Sequence, residues 1–226
     1  MKLIHVFAAL CVLAVTSAAA MADVVSYTGT LATPESTFDV TLDLTSASSV
    51  ALQTYGFGGG TNGEGTLIAP GGTDPFLAIF SGTGSAAAML TDASANPFGT
   101  STDLTNYASF AGCPPAGTVN VGGQATCGDI AMNLGVLAAG MYTIVLSDGQ
   151  YVANAVFDNG TLGEGFADLT SGGFCNFSIN GANCPNTSGA YALDVTTTPL
   201  ATPEPGTLLL FGVGLSALSL RKRKVT

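Results

Sequence analysis

Between Lys2 and Arg221 this chain contains no lysine and no arginine, and its one histidine is His5. It has no tryptophan anywhere. The missing bases exclude a good deal. Phosphate recognition draws on Lys and Arg, so an acidic stretch lacking both repels nucleic acid and anionic membranes. Without His, Lys or Arg, the Ser-His, Cys-His and lysine-based nucleophile systems cannot be assembled. Zinc sites of the His-rich kind go with them. Carboxylate chemistry is what remains, either acid–base pairs of the glycosidase type or oxygen-ligand metal sites. The expectation is a protein that is not an enzyme and takes no nucleic acid as partner. The lack of Trp also removes the best sugar-stacking platform.

What is present lies at the two ends. Lys2 opens a short positive region, Leu3 to Val15 is almost continuously apolar, and Ser17 to Ala22 is rich in small residues. That layout predicts a secretory signal peptide over residues 1–22, removed by signal peptidase. Two A-x-A sites compete. Cleavage after Ala22 is preferred and leaves Asp23 first; cleavage after Ala20 leaves Met21. Cys11 lies inside the apolar core and is discarded with the signal.

At the other end, Pro203, Glu204 and Pro205 precede an uncharged run from Gly206 to Leu220, followed by Arg221, Lys222, Arg223 and Lys224. As a helix that run reaches about 22 Å, short of the about 30 Å of a hydrocarbon core. Pro203 and Pro205 bar its extension backwards. The sequence therefore predicts a marginal transmembrane helix at 206–220 and a basic tail at 221–226 that stays cytoplasmic. Thr202-Pro203-Glu204-Pro205-Gly206, the apolar segment and the terminal basic cluster together resemble the PEP-CTERM sorting signal of Gram-negative bacteria. The resemblance covers residues 202–226. It implies an exosortase-type processing enzyme as partner, cleavage near Pro203-Glu204-Pro205, transient anchoring in the inner membrane, and delivery to the cell surface or an extracellular polymer matrix.

Between the ends, residues 23–198 suit one all-β domain, with 199–205 as a linker carrying the Pro-Glu-Pro motif. Four cysteines survive processing: Cys113, Cys127, Cys175 and Cys184. An even number in an exported chain argues for disulfides. Three pairings are possible in principle, and sequence proximity favours Cys113–Cys127 and Cys175–Cys184. Each staple would restrict a Gly-rich loop, contributing about 2–4 kcal/mol.

The periodicity is that of strands. Phe38, Val40, Leu42 and Leu44 alternate with Asp39, Thr41, Asp43 and Thr45, and Tyr142, Ile144 and Leu146 with Thr143 and Ser147. Tyr191, Leu193 and Val195 repeat the pattern before the linker. Phe76 to Phe80 is continuously apolar, which predicts a strand covered on both faces. Val50–Phe57, Ala86–Thr91, Ile130–Leu134 and Tyr151–Phe157 are weaker strands, separated by Gly-rich breakers. The natural packing is an antiparallel β-sandwich of jelly-roll type. The run Asp74-Pro75-Phe76-Leu77-Ala78-Ile79-Phe80, then Ala139-Gly140-Met141-Tyr142, then Tyr191-Ala192-Leu193-Asp194-Val195 is similar to the pre-peptidase C-terminal (PPC-like) β-sandwich. That resemblance implies a non-catalytic accessory module linked to surface, matrix or polysaccharide binding.

One metal loop is suggested. Asp92, Ser94, Asn96 and Asp103 stand at positions 1, 3, 5 and 12 of a calcium-loop spacing. Pro97 occupies the place where that loop needs Gly, Asp103 is shorter than the usual Glu, and Asp and Asn in a turn serve equally well to bond their own backbone. Asp74 could share calcium with Asp92 if their loops meet; otherwise it shapes the entry to a strand. Glu64 and Glu164, each in Gly-Glu-Gly, raise a two-carboxylate hydrolase reading against solvated loop carboxylates. Calcium is thus the one cofactor considered. The functional expectation is a structural or adhesive protein of the envelope or exopolysaccharide matrix, the alternative a polysaccharide- or calcium-binding module of that matrix.

Overall fold

The computed structural model describes residues 21–94, 109–110, 118–121, 124–127, 129–168, 173–174, 178–179, 182–183 and 188–200. The expected signal core and transmembrane helix lie outside them. So do the sorting motif Pro203-Glu204-Pro205, the basic cluster Arg221–Lys224, and Cys113, Cys175, Cys184, Asn96 and Asp103. Among the described residues, no helix is long and apolar enough to cross a membrane.

The chain is all-β and sandwich-like. Its strands are β1 (Asp23–Thr30), β2 (Thr37–Leu44), β3 (Ser48–Thr54), β4 (Gly60–Thr61), β5 (Leu67–Ile68), β6 (Pro75–Ser81) and β7 (Ala88–Ser94). Then come β8 (Ser109–Phe110), β9 (Thr118–Val121), β10 (Gln124–Cys127), β11 (Ala131–Leu137) and β12 (Gly140–Asp148). The last are β13 (Tyr151–Ala153), β14 (Phe166–Asp168), β15 (Ser178–Ile179), β16 (Ala182–Asn183) and β17 (Ala190–Pro199). Two sheets make the body, a five-stranded one in the order β1-β17-β3-β11-β8 and a four-stranded one in the order β2-β12-β6-β7. Every pairing within them is antiparallel.

Strand alternation produces the core. Val50 and Leu52 of β3, Met132 and Leu134 of β11 and Leu193 and Val195 of β17 face Val40 and Leu44 of β2, Leu77 and Ile79 of β6 and Ile144 and Leu146 of β12. Side chains on one face of a strand recur every second residue, so the opposite parity of β6 and β12 must find another cover. It does: Phe76, Ala78, Phe80 and Val145 form a second buried cluster under Val152, Ala153 and Ala155. The continuous apolar run of β6 is thereby covered on both faces, as its composition requires. The cover is the chain from β13 to β14, with 3-10 turns at Asn154–Val156 and Leu162–Glu164. Between the edge strands β1 and β2, Phe38 stacks on Tyr191 at 4.6 Å and meets Tyr27 at 5.6 Å, closing that flank.

The antiparallel registers give the body two poles. At one pole Asp23 pairs with Thr197 and Pro199 with Ser48, and the turn from β11 to β12 crosses between the sheets. Tyr142 pins that turn by donating its hydroxyl to the Ala138 carbonyl at 3.1 Å. At the other pole the ends of β3, β12 and β1 meet the beginnings of β6, β11 and β17. We call these the tail pole and the far pole.

Three differences from the sequence reading have physical causes. β1 begins at Asp23 and takes an edge of the larger sheet, although Ser26, Thr28 and Gly29 break its apolar pattern. β13 is only three residues long because the chain turns into a 3-10 coil at Asn154, where apolar residues serve as the lid on β6 and β12. β7 continues through Ser94, with Asp92 opposite Ala78 and Ser94 opposite Phe76.

Candidate functional site

The far pole gathers the body's chemistry-bearing side chains. Asp74, Asp129 and Asp148 are all buried there, at 4%, 0% and 1% exposure. No lysine, arginine or histidine lies between residues 5 and 221 to pair with them. Buried carboxylates need partners, and here those are N–H and O–H donors rather than cations. Asp129, just before β11, is the best supplied. It accepts from the Thr54 hydroxyl at 2.9 Å, the Phe57 amide at 3.3 Å and the Gly58 amide at 2.7 Å. Thr54 in turn accepts from the Ile130 amide at 2.8 Å. One carboxylate thus ties the turn after β3 to the start of β11. Burial still raises its affinity for a proton, and the donors from Gly58, Thr54, Phe57 and Gly56 oppose that rise.

Asp148 ends β12. It accepts from the Thr73 hydroxyl at 2.6 Å and the Gln150 amide at 3.3 Å. Burial pushes its pKa up, with those two donors working against it and Glu35 adding to it. Asp74 enters β6 beside it, since Asp148 pairs with Pro75 and the Gly149 amide donates to the Asp74 carbonyl at 2.7 Å. Its own carboxyl is the exception in this network. Oδ1 is buried and has no hydrogen-bond partner. Burial first, then the negative charges of Asp148 and Asp129, hold its pKa well above the usual carboxylate range.

The surrounding backbone is closely packed. Gly72 donates to the Gly56 carbonyl at 2.8 Å and Thr73 to the Ala190 carbonyl at 2.8 Å. A Cβ at Gly72 would collide with the carbonyls of Ala190 and Gly56, so only glycine allows this approach. A fourth buried aspartate, Asp194 of β17, lies on the outer face of the larger sheet. It accepts from Ser26 Oγ at 2.5 Å and from the Gly63 amide at 2.6 Å. The Tyr55 phenol also bonds to Asp194, and burial together with that carboxylate pushes its pKa up to about 12.

The expected ligands fall in different places. Asp74 and Asp92 do not meet along β6. Asp92 stands opposite Ala78, four residues beyond Asp74, or about 13 Å at the usual strand rise. Positions 1 and 3 of the calcium-loop spacing, Asp92 and Ser94, belong to an extended ladder rather than a coil. Among the described residues, no group of three or more His, Cys, Asp or Glu side chains is arranged to hold a metal ion. Glu164 accepts from the Thr161 amide at 2.8 Å in a capping box, so its carboxylate serves its own 3-10 turn. Glu64 sits exposed in the turn between β4 and β5. Cys127 closes β10 opposite Thr118.

Asp129, Asp148 and Asp194 are not distinguished by sequence reasoning. Asp148 precedes Gly149 and reads as a turn, while the donors to Asp129 come from more than 70 positions away, with Thr54 separated by 75. The one available signal was general: acidic residues next to apolar strands in a domain without bases.

The tail pole leads directly to the second candidate site. β17 ends at Pro199, and only Leu200, Ala201 and Thr202 separate it from Pro203. No curated protein and no solved structure matches the chain. Residues 201–224 match the model of the PEP-CTERM protein-sorting motif, so the chain carries that motif directly after its last strand, which implies export and processing by an exosortase.

Proposed function

We propose that this is a non-catalytic protein, carried through the inner membrane, cut near Pro203-Glu204-Pro205 and displayed at the cell surface or in the exopolysaccharide matrix, where its β-body has a structural or adhesive role. The sorting motif at 201–224 carries this reading. Support for a non-catalytic body comes from the employment of its buried acids. Asp129, Asp148 and Asp194 hold loops to strands. Glu164 caps a turn. The bases needed for the common nucleophile systems are missing from the segment.

A second reading, a cation-binding module of the matrix, is favoured by the unpartnered Oδ1 of Asp74. Mass spectrometry of the exported protein tests the first. It should show a C-terminus near residue 203 and a start at Asp23 or Met21, while recovery of an intact Arg221–Thr226 end from the surface sinks the sorting claim. Thermal melting with calcium and with chelator separates the readings, because a ligand bound only by the folded state raises Tm.

A further inference from the structure

Among the described residues the two main sheets have four edge strands, and three of them are guarded. β2 turns Asp39 and Asp43 out to solvent, and charge on an edge opposes further pairing. β7 is bridged by the lid, where Met89 donates to the Gly160 carbonyl and Leu162 to the Ala87 carbonyl, each at 2.9 Å. β8 is two residues long. The fourth edge, β1, has none of these devices. It runs for eight residues in unbroken register with β17, without proline, bulge or lysine, and its one acid is Asp23 at the start. The open side can be read from the ladder. The Leu31 amide donates to the Gly189 carbonyl at 2.7 Å, which continues the β1–β17 register by one residue. Bonded and non-bonded positions alternate in an antiparallel pair, so the odd-numbered residues of β1 bond to β17. Val24, Ser26, Thr28 and Thr30 turn their N–H and C=O groups the other way, off the sheet.

The side chains of β1 agree with its backbone. Val24 and Val25 are 36% and 40% exposed, and neighbours on a strand point to opposite faces of the sheet. A partner laid on either face would cover only one of them, whereas a strand added beyond β1 covers both. Other exposed apolar residues lack this arrangement. Val136 is turned out by a bulge between Asn133 and Gly135 of β11, and Met141 stands on the outer face of the smaller sheet. We infer that β1 pairs edge to edge with β1 of a second copy of this chain, joining the two five-stranded sheets across a two-fold axis at Tyr27. The register follows from the open groups. Antiparallel pairing about Tyr27 sets Val24 against Thr30 and Ser26 against Thr28 of the other copy, so every open residue finds a partner. Tyr27 meets its counterpart in an aromatic cross-strand pair, and Val25 lies beside Gly29. Asp23 of each copy falls opposite Leu31, at the other end of the ladder from the second Asp23, so no like charges face each other. The strand is thus complementary to itself, and the guarded β2, β7 and β8 close the assembly at two copies.

Analytical ultracentrifugation of the protein purified from its own cells tests this. The parent should sediment as a dimer at micromolar concentration. Copies without lysine or arginine between residues 2 and 221 repel at long range, so the dimer should strengthen as salt rises from about 0.01 to 0.15 M. Val24→Asp/Val25→Asp places acids along the pairing edge and should weaken the dimer about a hundredfold. Val136→Asp/Met141→Asp alters equally exposed side chains on other strands and should leave it at parental strength. Cross-linking gives a readout that does not depend on weakening. Directly opposed residues of a non-bonded pair have Cα atoms about 4.5 Å apart, within disulfide reach, so Tyr27→Cys should yield a disulfide-linked dimer on mild oxidation. Asp43→Cys, on the guarded β2 edge, should not. A parent that stays monomeric at about 1 mM overturns the inference, as does equal weakening by both double variants. Equally fast cross-linking of Tyr27→Cys and Asp43→Cys overturns it too. So does a stoichiometric foreign polypeptide that copurifies with the parent and is lost from Val24→Asp/Val25→Asp, since the edge would then serve a different chain.

Discussion

The two poles of the body treat polar and apolar side chains in opposite ways. The far pole buries charge-bearing groups, with Asp74, Asp129 and Asp148 all under 5% exposed. The tail pole exposes apolar ones, including Val136 and Met141. Both arrangements run against the usual sorting of side chains between core and surface. The far pole makes its exception stable by supplying hydroxyl and amide donors to Asp129 and Asp148. The tail pole leaves its apolar side chains without cover in the body, on separate strands at the end where β17 leads into the sorting motif. The difference teaches that an unusual side chain can be fixed by internal partners or by the place where the chain leaves the fold. Only the second arrangement requires something outside the body to explain it.

The largest expected effect tests whether the far pole is held by its carboxylates. Asp129→Ala strips the acceptor from the Thr54 hydroxyl and from the amides of Phe57 and Gly58, all in a buried setting. Each buried neutral donor left without its acceptor costs about 1–3 kcal/mol, so losing the acceptor of three donors costs about 3–5 kcal/mol in all after partial relaxation. Denaturant unfolding of the purified exported protein should show a loss of that size. A loss below about 1 kcal/mol would mean that water replaces the carboxylate and that the far pole is looser than its hydrogen bonds indicate.

Asp74 should behave in the opposite way, which sharpens the contrast within one pole. Its folded-state pKa is raised, by burial first and then by Asp148 and Asp129. A raised carboxyl is stabilising in its protonated form. Its contribution is complete below the unfolded value of about 3.9 and is lost as pH rises toward the folded value. Asp129 and Asp148 shift in the same direction. The body should therefore lose stability as pH climbs from about 4 toward neutrality. Asp74→Asn keeps the shape and removes the ionisation. At neutral pH it should stabilise by about 2 kcal/mol, the order of cost for an unsatisfied buried polar group, and it should flatten the pH profile. A destabilised Asn variant whose pH slope matches the parent shows that the charged form of Asp74 has a partner.

The strands were more legible in the chain than the poles. Period-two alternation marks β2 and β17 directly, because each turns one apolar face to the core, and it marks β12 as well, although β12, like β6, is covered on both faces. The continuous run of β6 announces that both its faces are covered, though not that the β13–β14 segment supplies one cover. β1 escaped because part of it lies beyond the core, with Val24 and Val25 exposed side by side and Ser26 and Thr28 interrupting any alternation after them. The carboxylate network escaped for a different reason. Its donors are mostly backbone amides brought in by tertiary folding, and amides have no sequence signature. Asp92 and Ser94 misled by spacing alone, since ligand spacing says nothing about whether the backbone coils or stays extended. The sorting motif was fully legible because its proline boundary, apolar run and basic end are contiguous.

The smallest effect lies at Gly135, where the tail pole gets its outward-facing valine. A Cβ placed there meets nothing within 4 Å, so the only penalty of Gly135→Ala is the left-handed backbone at φ +68. That strain costs about 1 kcal/mol for alanine. If the bulge survives, denaturant unfolding should show a loss of that size. Loss of the bulge would slide the end of β11 by one residue, turning Val136 inward and Leu137 out to solvent. Leu137 is 4% exposed, and extruding it forfeits about 2 kcal/mol of burial in addition to the misfit of the smaller side chain. A loss well above 1 kcal/mol therefore marks a bulge that has collapsed. The same measurement reports whether the body spends stability to keep Val136 facing out, or whether the outward valine follows from a bulge that tolerates any small residue.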